Sequence, residues 1–259
     1  MALKYLLTAA CVLMMFIEQD QAMKCTEVPG SLKQIDAGAG LVVGVNAEDG
    51  IFALFGKSWT RLPGSLSHVS VGPSGMWGAN SGHLIFKLVG GTWVTVPGQL
   101  NQVDAGGDQF VVGVNHVEKV YCMERDYAVD FRSSGSPAPW SQLPGVLVYY
   151  SCGPIGCWGV NKNQDIYMRE GVGPTECQGI TDWQHIQGKL VMVEVGTDGS
   201  VYGVNAGGDV YQRDGVTECD PAGISWTLLS ECGKSKHVSY DLGHLWVISP
   251  DDKIQDCVV

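Results

Sequence analysis

The sequence predicts an all-β fold: a six-bladed β-propeller of four-stranded blades, whose last blade is completed by the N-terminal strand. Three observations carry that expectation. The string VVGVN at Val42 to Asn46 returns as MWGAN (Met76 to Asn80), VVGVN (Val111 to Asn115), CWGVN (Cys157 to Asn161) and VYGVN (Val201 to Asn205). A second string, SWTRLPGSL from Ser58, returns as TWVTVPGQL from Thr92, PWSQLPGVL from Pro139, DWQHIQGKL from Asp182 and, eroded, SWTLLSECG from Ser225. The third observation concerns the ends. The unit from Val238 to Val259 lacks that second string, while KCTEVPGSL at Lys24 to Leu32 matches it.

Within each copy, segments such as LVVGV, DGIFALF and SWTRLPG are short, rich in β-branched and aromatic residues and bounded by Gly, Asn, Asp or Pro, which is how strands read. With the preceding hydrophobic residue and Asp or Ser (Ile35-Asp36, Val69-Ser70, Val103-Asp104, Tyr150-Ser151), each copy supplies four strands. No window keeps a helical period. The closing asparagines, Asn46, Asn80, Asn115, Asn161 and Asn205, are spaced 34, 35, 46 and 44 residues apart, the period of a propeller blade. The longer units carry insertions at 126–139, 171–182 and 214–225, all between the third and fourth strands, where a loop tolerates extra chain.

The first 22 residues read as a secretory signal peptide, with Lys4, an apolar run too short to span a bilayer and then a polar segment. Residues 23–259 then form one propeller domain, and the protein is expected to be secreted, with no membrane span. The net charge is −11 with 16 Lys and Arg, and no run of them, which argues against nucleic acid as a partner. Loss of the leader, with one Lys against Glu18 and Asp20, leaves −10. Eight cysteines remain after Cys11 is removed, an even count that favours four disulfides in an exported chain. Strand order places Cys25 beside Cys257 as a clasp and Cys152 opposite Cys157 across a tight turn. Cys219 and Cys232 flank one strand, and elimination leaves Cys122 with Cys177.

The repeat VxxGxxxVVGVNxxxxIY followed by WxxLPG resembles the tectonin β-propeller family, the group of the fish-egg lectins and, more distantly, tachylectin-1, over essentially all of Lys24 to Val259. The resemblance implies a secreted defence lectin of eggs or plasma. Its partners would be N-acetylglucosamine-containing glycans and bacterial lipopolysaccharide, bound without enzymatic activity. The chain's own chemistry is compatible, because sugars take aromatic faces and fixed amides. Each blade offers one of Trp59, Trp93, Trp140, Trp183 and Trp226, and one of Asn46, Asn80, Asn115, Asn161 and Asn205. The same tryptophans would also suit blade-to-blade packing, and an Asn after a strand also bonds its own turn. The aromatics Phe52, Phe86, Tyr121, Tyr167 and Tyr211 read as core. Asp36 and Asp104 read as channel-lining residues that are solvated or turn-bonded.

Two further classes compete. A sialidase would share the fold, but it carries repeated S-x-D-x-G-x-x-W boxes and an arginine cluster, and here only AEDGIF and TDGSVYG echo a box. A propeller that binds proteins alone is the other. No metal or other cofactor is expected. Calcium at Glu48-Asp49 or Asp251-Asp252 has no spaced ligand loop to support it. The oligomeric state is left between a monomer and a weak homodimer.

Overall fold

The computed structural model describes residues 23–258 apart from Thr181; the expected signal peptide lies outside them. Six antiparallel four-stranded sheets are present, five of them built from strands consecutive in the chain. Their inner strands are Gln34–Gly38, His68–Gly72, Gln102–Asp104, Tyr149–Cys152, Met192–Val195 and His237–Asp241. The sixth sheet runs His237–Asp241, His244–Ile248, Ile254–Val258 and then Lys24–Val28 on its outer edge, with Cys25 opposite Cys257. This is the closure that the displaced second string predicts. The insertion of the third blade holds one short helix, Arg125–Asp130; at six residues it is too short to show a period in sequence.

Five of the six seams between blades repeat the same contacts. The motif glycine faces a leucine from the preceding PGxL turn. A Cβ at Gly78 would lie 2.4 Å from Leu66 Cδ1, and one at Gly203 2.4 Å from Leu190 Cδ1, so any side chain there would expel the leucine. In the turn after the motif, one residue adopts positive φ, namely Asp49, His83, Glu118, Gln164, Gly208 and Asp252 in the six blades. Its carbonyl accepts the first N–H of the next blade, as from Leu66 to Asp49 (2.9 Å) and from Leu32 to Asp252 (3.0 Å). Buried clusters fill the wedges between blades, with Val43, Ile51, Leu66 and Val69 joining the first to the second.

The hub departs from the expectation for Asp36 and Asp104. Both are buried and neither is solvated, while the turn-bonded alternative holds for Asp104, whose Oδ1 accepts from Gly106 N–H (3.3 Å). One position of the inner strand reads, blade by blade, Asp36, Ser70, Asp104, Ser151, Glu194 and Ser239, an alternating ring of carboxyl and hydroxyl groups. Ser151 Oγ lies 3.1 Å from both Asp104 Oδ2 and Glu194 Oε1. The serines also tie neighbouring blades, since Ala37 N–H donates to Ser239 Oγ (2.9 Å), Ala105 N–H to Ser70 Oγ (2.8 Å) and Val195 N–H to Ser151 Oγ (3.0 Å). Two residues earlier in the strands, His68, Tyr149 and His237 cluster with ring centroids 5.9 to 6.3 Å apart, and Tyr149 OH donates to Glu194 Oε2 (2.9 Å). Burial, then the charge of Asp104, pushes the Asp36 carboxyl up to about 8. Burial also raises Glu194 and lowers His68 and His237 to about 3.

Three disulfides match the sequence reading: Cys25–Cys257, Cys122–Cys177 and Cys152–Cys157. The pair Cys219–Cys232 does not form. Cys232 keeps a free, buried thiol, and Cys219 belongs to a disulfide that excludes it. Strand Ser225–Leu228 separates the two. At about 3.3 Å per residue it carries Cys232 to the opposite end of the blade from the Cys219 loop, beyond disulfide reach. There Cys232 Sγ lies 3.5 Å from Met23 Sδ, and burial pushes its thiol up to about 12.

Two outcomes follow from this architecture. The Cys25–Cys257 link spans 232 residues, so Cys257→Ala should cost roughly 2–5 kcal/mol of stability. It should also strip hydrogen-exchange protection from Lys24–Val28 first; unchanged denaturation midpoints and protection would refute the clasp. The second outcome concerns pH. Folded Asp36 keeps its proton up to about pH 8, whereas the unfolded chain loses it near 4, so its contribution is lost as pH rises through that window. The two hub histidines act in the other direction and only below their unfolded value near 6.5. Between pH 6.5 and 8.5, in chelator, the Tm should therefore fall, and Asp36→Asn should flatten the slope. A flat or rising wild-type profile would contradict the protonated hub.

Candidate functional site

The five tryptophans and five asparagines are brought together in pairs at the outer seams, one pair per blade. All ten are half-buried. Three clefts have a common plan. Asn115, Tyr121 and Trp140 face Gly98, Gln99 and Leu100 of the preceding blade around a cavity of about 350 Å³. Asn205, Tyr211 and Trp226 face Gly188, Lys189 and Leu190 around about 310 Å³. Asn161, Tyr167 and Trp183 face Gly145, Val146 and Leu147 around about 210 Å³. In the first two blades Asn46 with Trp59, and Asn80 with Trp93, occupy the corresponding places.

The packing roles weighed in the sequence are also present. Four indole N–H groups donate to the carbonyl of the preceding blade's turn: Trp93 to Pro63 (2.8 Å), Trp140 to Pro97 (2.8 Å), Trp183 to Pro144 (2.7 Å) and Trp226 to Gln187 (3.0 Å). Trp59 Nε1 is buried without a partner. The turn glycine is required by this contact, since a Cβ at Gly98, whose φ is +122°, would sit 2.9 Å from Trp140 Nε1. Arg169 lies 5.3 Å from the Trp183 ring and Arg213 5.2 Å from that of Trp226. Each asparagine Oδ1 accepts from its own turn, as from Gly50 at Asn46, Gly82 and Leu84 at Asn80, Lys119 at Asn115, Asp165 at Asn161 and Asp209 at Asn205. The indole edge and the amide oxygen are thus committed to the fold. The cleft keeps the indole faces as walls, while the amide nitrogens of Asn161 and Asn205 each give one of their two hydrogens to Asp165 and Asp209.

Tyr121, Tyr167 and Tyr211, read as core in the sequence, do pack against the buried clusters, as Phe52 and Phe86 do. Half-buried, they also line the clefts, a role the sequence reading missed. The signal was the change from Phe52 and Phe86 to tyrosine in the last three copies, a hydroxyl with no use in a closed core. Tyr121 OH donates to Gln142 Oε1 at 3.4 Å, while the hydroxyls of Tyr167 and Tyr211 have no protein partner among the described residues.

Charge surrounds the clefts in pairs. Lys189 with Asn161 holds the Asp165 carboxyl below its ordinary value, and Lys234 with Asn205 does the same for Asp209. The acidic turns weighed for calcium are likewise countered, Asp49 by Lys33, Asp252 by Lys236 and Asp251 by Lys253. Among the described residues, two clusters have the geometry to hold a metal ion: Asp36, Asp104 and Glu194 at the hub, and Cys25, Cys232 and Cys257 at the clasp. The hub carboxyls already have serine partners, and burial raises all three above the ordinary carboxylate range. No described helix is long and apolar enough to cross a membrane.

Residues 31–250 match the Tectonin domain family. The fish-egg lectin of Cyprinus carpio is 51% identical over 238 residues, covering 92% of this chain and 99% of that protein. Solved structures share the fold at low identity. The β-propeller domain of Cps50 (Swd1) from Myceliophteria thermophila superimposes with a TM-score of 0.59 at 6% identity, over 91% of this chain and 99% of that one. Virginiamycin B lyase from Staphylococcus aureus gives 0.57 at 13% identity, over 92% and 99%. The lyase shows that this ring can host an enzyme, and at that identity the likeness extends to the fold alone. With the repeat, the closed ring and a half-identical lectin relative along nearly its whole length, the chain belongs to the tectonin family of β-propeller lectins.

Proposed function

We propose that this protein is a secreted carbohydrate-binding lectin that takes N-acetylglucosamine-type sugars and bacterial surface glycans such as lipopolysaccharide, in defence of eggs or plasma. The observation that supports it is the recurrence of one cleft plan, with an aromatic wall, a tyrosine and an amide, at three successive seams. A pyranose offers an apolar face to stack on an aromatic ring and an edge of hydroxyl and acetamido groups for the polar donors. Each cleft is shallow and its affinity is therefore modest. A glycan polymer that reaches several clefts at once gains avidity with no new contact, which fits a repetitive microbial surface better than a single soluble sugar.

Binding without turnover is part of this reading. The hub acids are buried, and none of the three clefts is lined by the pair of carboxyl groups that glycosidic cleavage uses. The protein should be retained on N-acetylglucosamine-agarose, be eluted by the free sugar and leave a fluorogenic sialoside intact. Trp140→Ala should weaken retention, by about tenfold at its own cleft, the worth of one aromatic face. Flow-through of disulfide-intact protein that also ignores lipopolysaccharide would reject the lectin in favour of a protein-binding propeller.

A further inference from the structure

We propose that sugar binding is confined to the three contiguous clefts of the third, fourth and fifth blades, with the hydroxyls of Tyr121, Tyr167 and Tyr211 as the determinant. The inference rests on the lectin reading above.

The five copies share one backbone. Phe52 stands opposite Gly44 and Phe86 opposite Gly78, as Tyr121 stands opposite Gly113, Tyr167 opposite Gly159 and Tyr211 opposite Gly203. A phenyl ring and a phenol ring therefore enter the same slot, and the oxygen is what separates the two sets. The other polar groups of the motif do not discriminate. Indole N–H groups are bonded to the preceding turn in both sets, at Trp93 as at Trp140, Trp183 and Trp226. Amide oxygens are bonded to their own turns in all five copies.

The amide nitrogen is no better as a common reader of sugar. Nδ2 of Asn161 donates to Asp165 and that of Asn205 to Asp209, each at 3.1 Å. What the three tyrosine clefts add is the phenol, which donates to a hydroxyl or acetamido oxygen, or accepts from a hydroxyl or acetamido N–H. Tyr167 and Tyr211 have no protein partner for it among the described residues, and Tyr121, which donates to Gln142 Oε1, keeps its acceptor side. The phenylalanine copies keep the aromatic wall and lose that handle. At the sixth seam the wall itself is gone, because Cys25 and Gln255 stand where the other blades have Trp and Phe or Tyr. The ring thus has a binding half, from the seam of the second and third blades to that of the fourth and fifth, and a structural half closed by the clasp.

The test is a nuclear magnetic resonance titration of the full disulfide-bonded protein with N-acetylglucosamine. Backbone amides of Gly98, Gly145 and Gly188 should shift, and those of Gly30 and Gly64, which hold the corresponding turn position before the first and second blades, should stay still. Tyr121→Phe, Tyr167→Phe and Tyr211→Phe should each weaken binding about 2- to 10-fold at its own cleft alone, the range of one net hydrogen bond. Their Tm should be unchanged, since the ring that packs is retained. Phe86→Tyr should confer shifts at Gly64. Shifts at all five turns, or a triple Phe variant that binds like wild type, would overturn the inference and leave the lectin standing. A wild type that shifts nowhere and ignores lipopolysaccharide would overturn the lectin reading itself.

Discussion

The ring depends on one constraint: a leucine of each blade must lie on bare backbone of the next. At Gly44, Gly78, Gly113, Gly159 and Gly203 a Cβ would come within 2.4 to 2.7 Å of that leucine. The sheets can close to this spacing because nothing projects between them. Once they do, the positive-φ carbonyl reaches the next blade's N–H and the indole reaches the preceding turn. The sixth blade meets the same constraint with the sizes exchanged. Val247 stands at the glycine position and Ser235 at the leucine position. The serine hydroxyl lies 2.9 Å from the carbonyls of both His237 and Ile248, a small polar group where the others place a large apolar one.

This explains why the ring was legible in the sequence. Seam contacts are local, they recur in every blade, and each leaves a fixed residue: Gly for close approach, Leu for the wedge, Trp for the turn. A strand moved from one end of the chain to the other is visible for the same reason, since KCTEVPGSL keeps the turn even where Trp is replaced by Cys25. The insertions do not share this property, and the helix Arg125–Asp130 left no periodic trace.

The hub was less legible because its pattern repeats every second blade. The sequence shows Asp or Ser at this position through Asp36, Ser70, Asp104 and Ser151, and misses Glu194 and Ser239, which complete the acids and the hydroxyls. The hub histidines likewise follow no repeat that every blade shares. His68 and His237 in fact share a strand position with Gln34, Gln102 and Tyr149. The alternation has an electrostatic reason. Six acids at that radius would repel one another, whereas three acids alternate with serine hydroxyls that donate to them, as Ser151 does to Asp104 and Glu194. The Cys219–Cys232 expectation failed for a different reason. Proximity in sequence was read as proximity in space, and a β-strand separates its ends.

The same economy bears on the candidate site. A seam residue that recurs in every blade already has a role in the seam, so its recurrence supports packing as much as a ligand. Trp140 and Asn115 carry both roles, their N–H and carbonyl groups bonded within the fold and their ring face and amide lining the cleft. A group that varies between copies while its surroundings stay fixed is not explained by the seam. The changes from phenylalanine to Tyr167 and Tyr211 are of this kind, because those hydroxyls have no protein partner among the described residues and packing gains nothing from an oxygen at the mouth of a cleft. In a repeat protein the conserved positions therefore describe the scaffold, and the selective departures from them mark where the scaffold has been put to use.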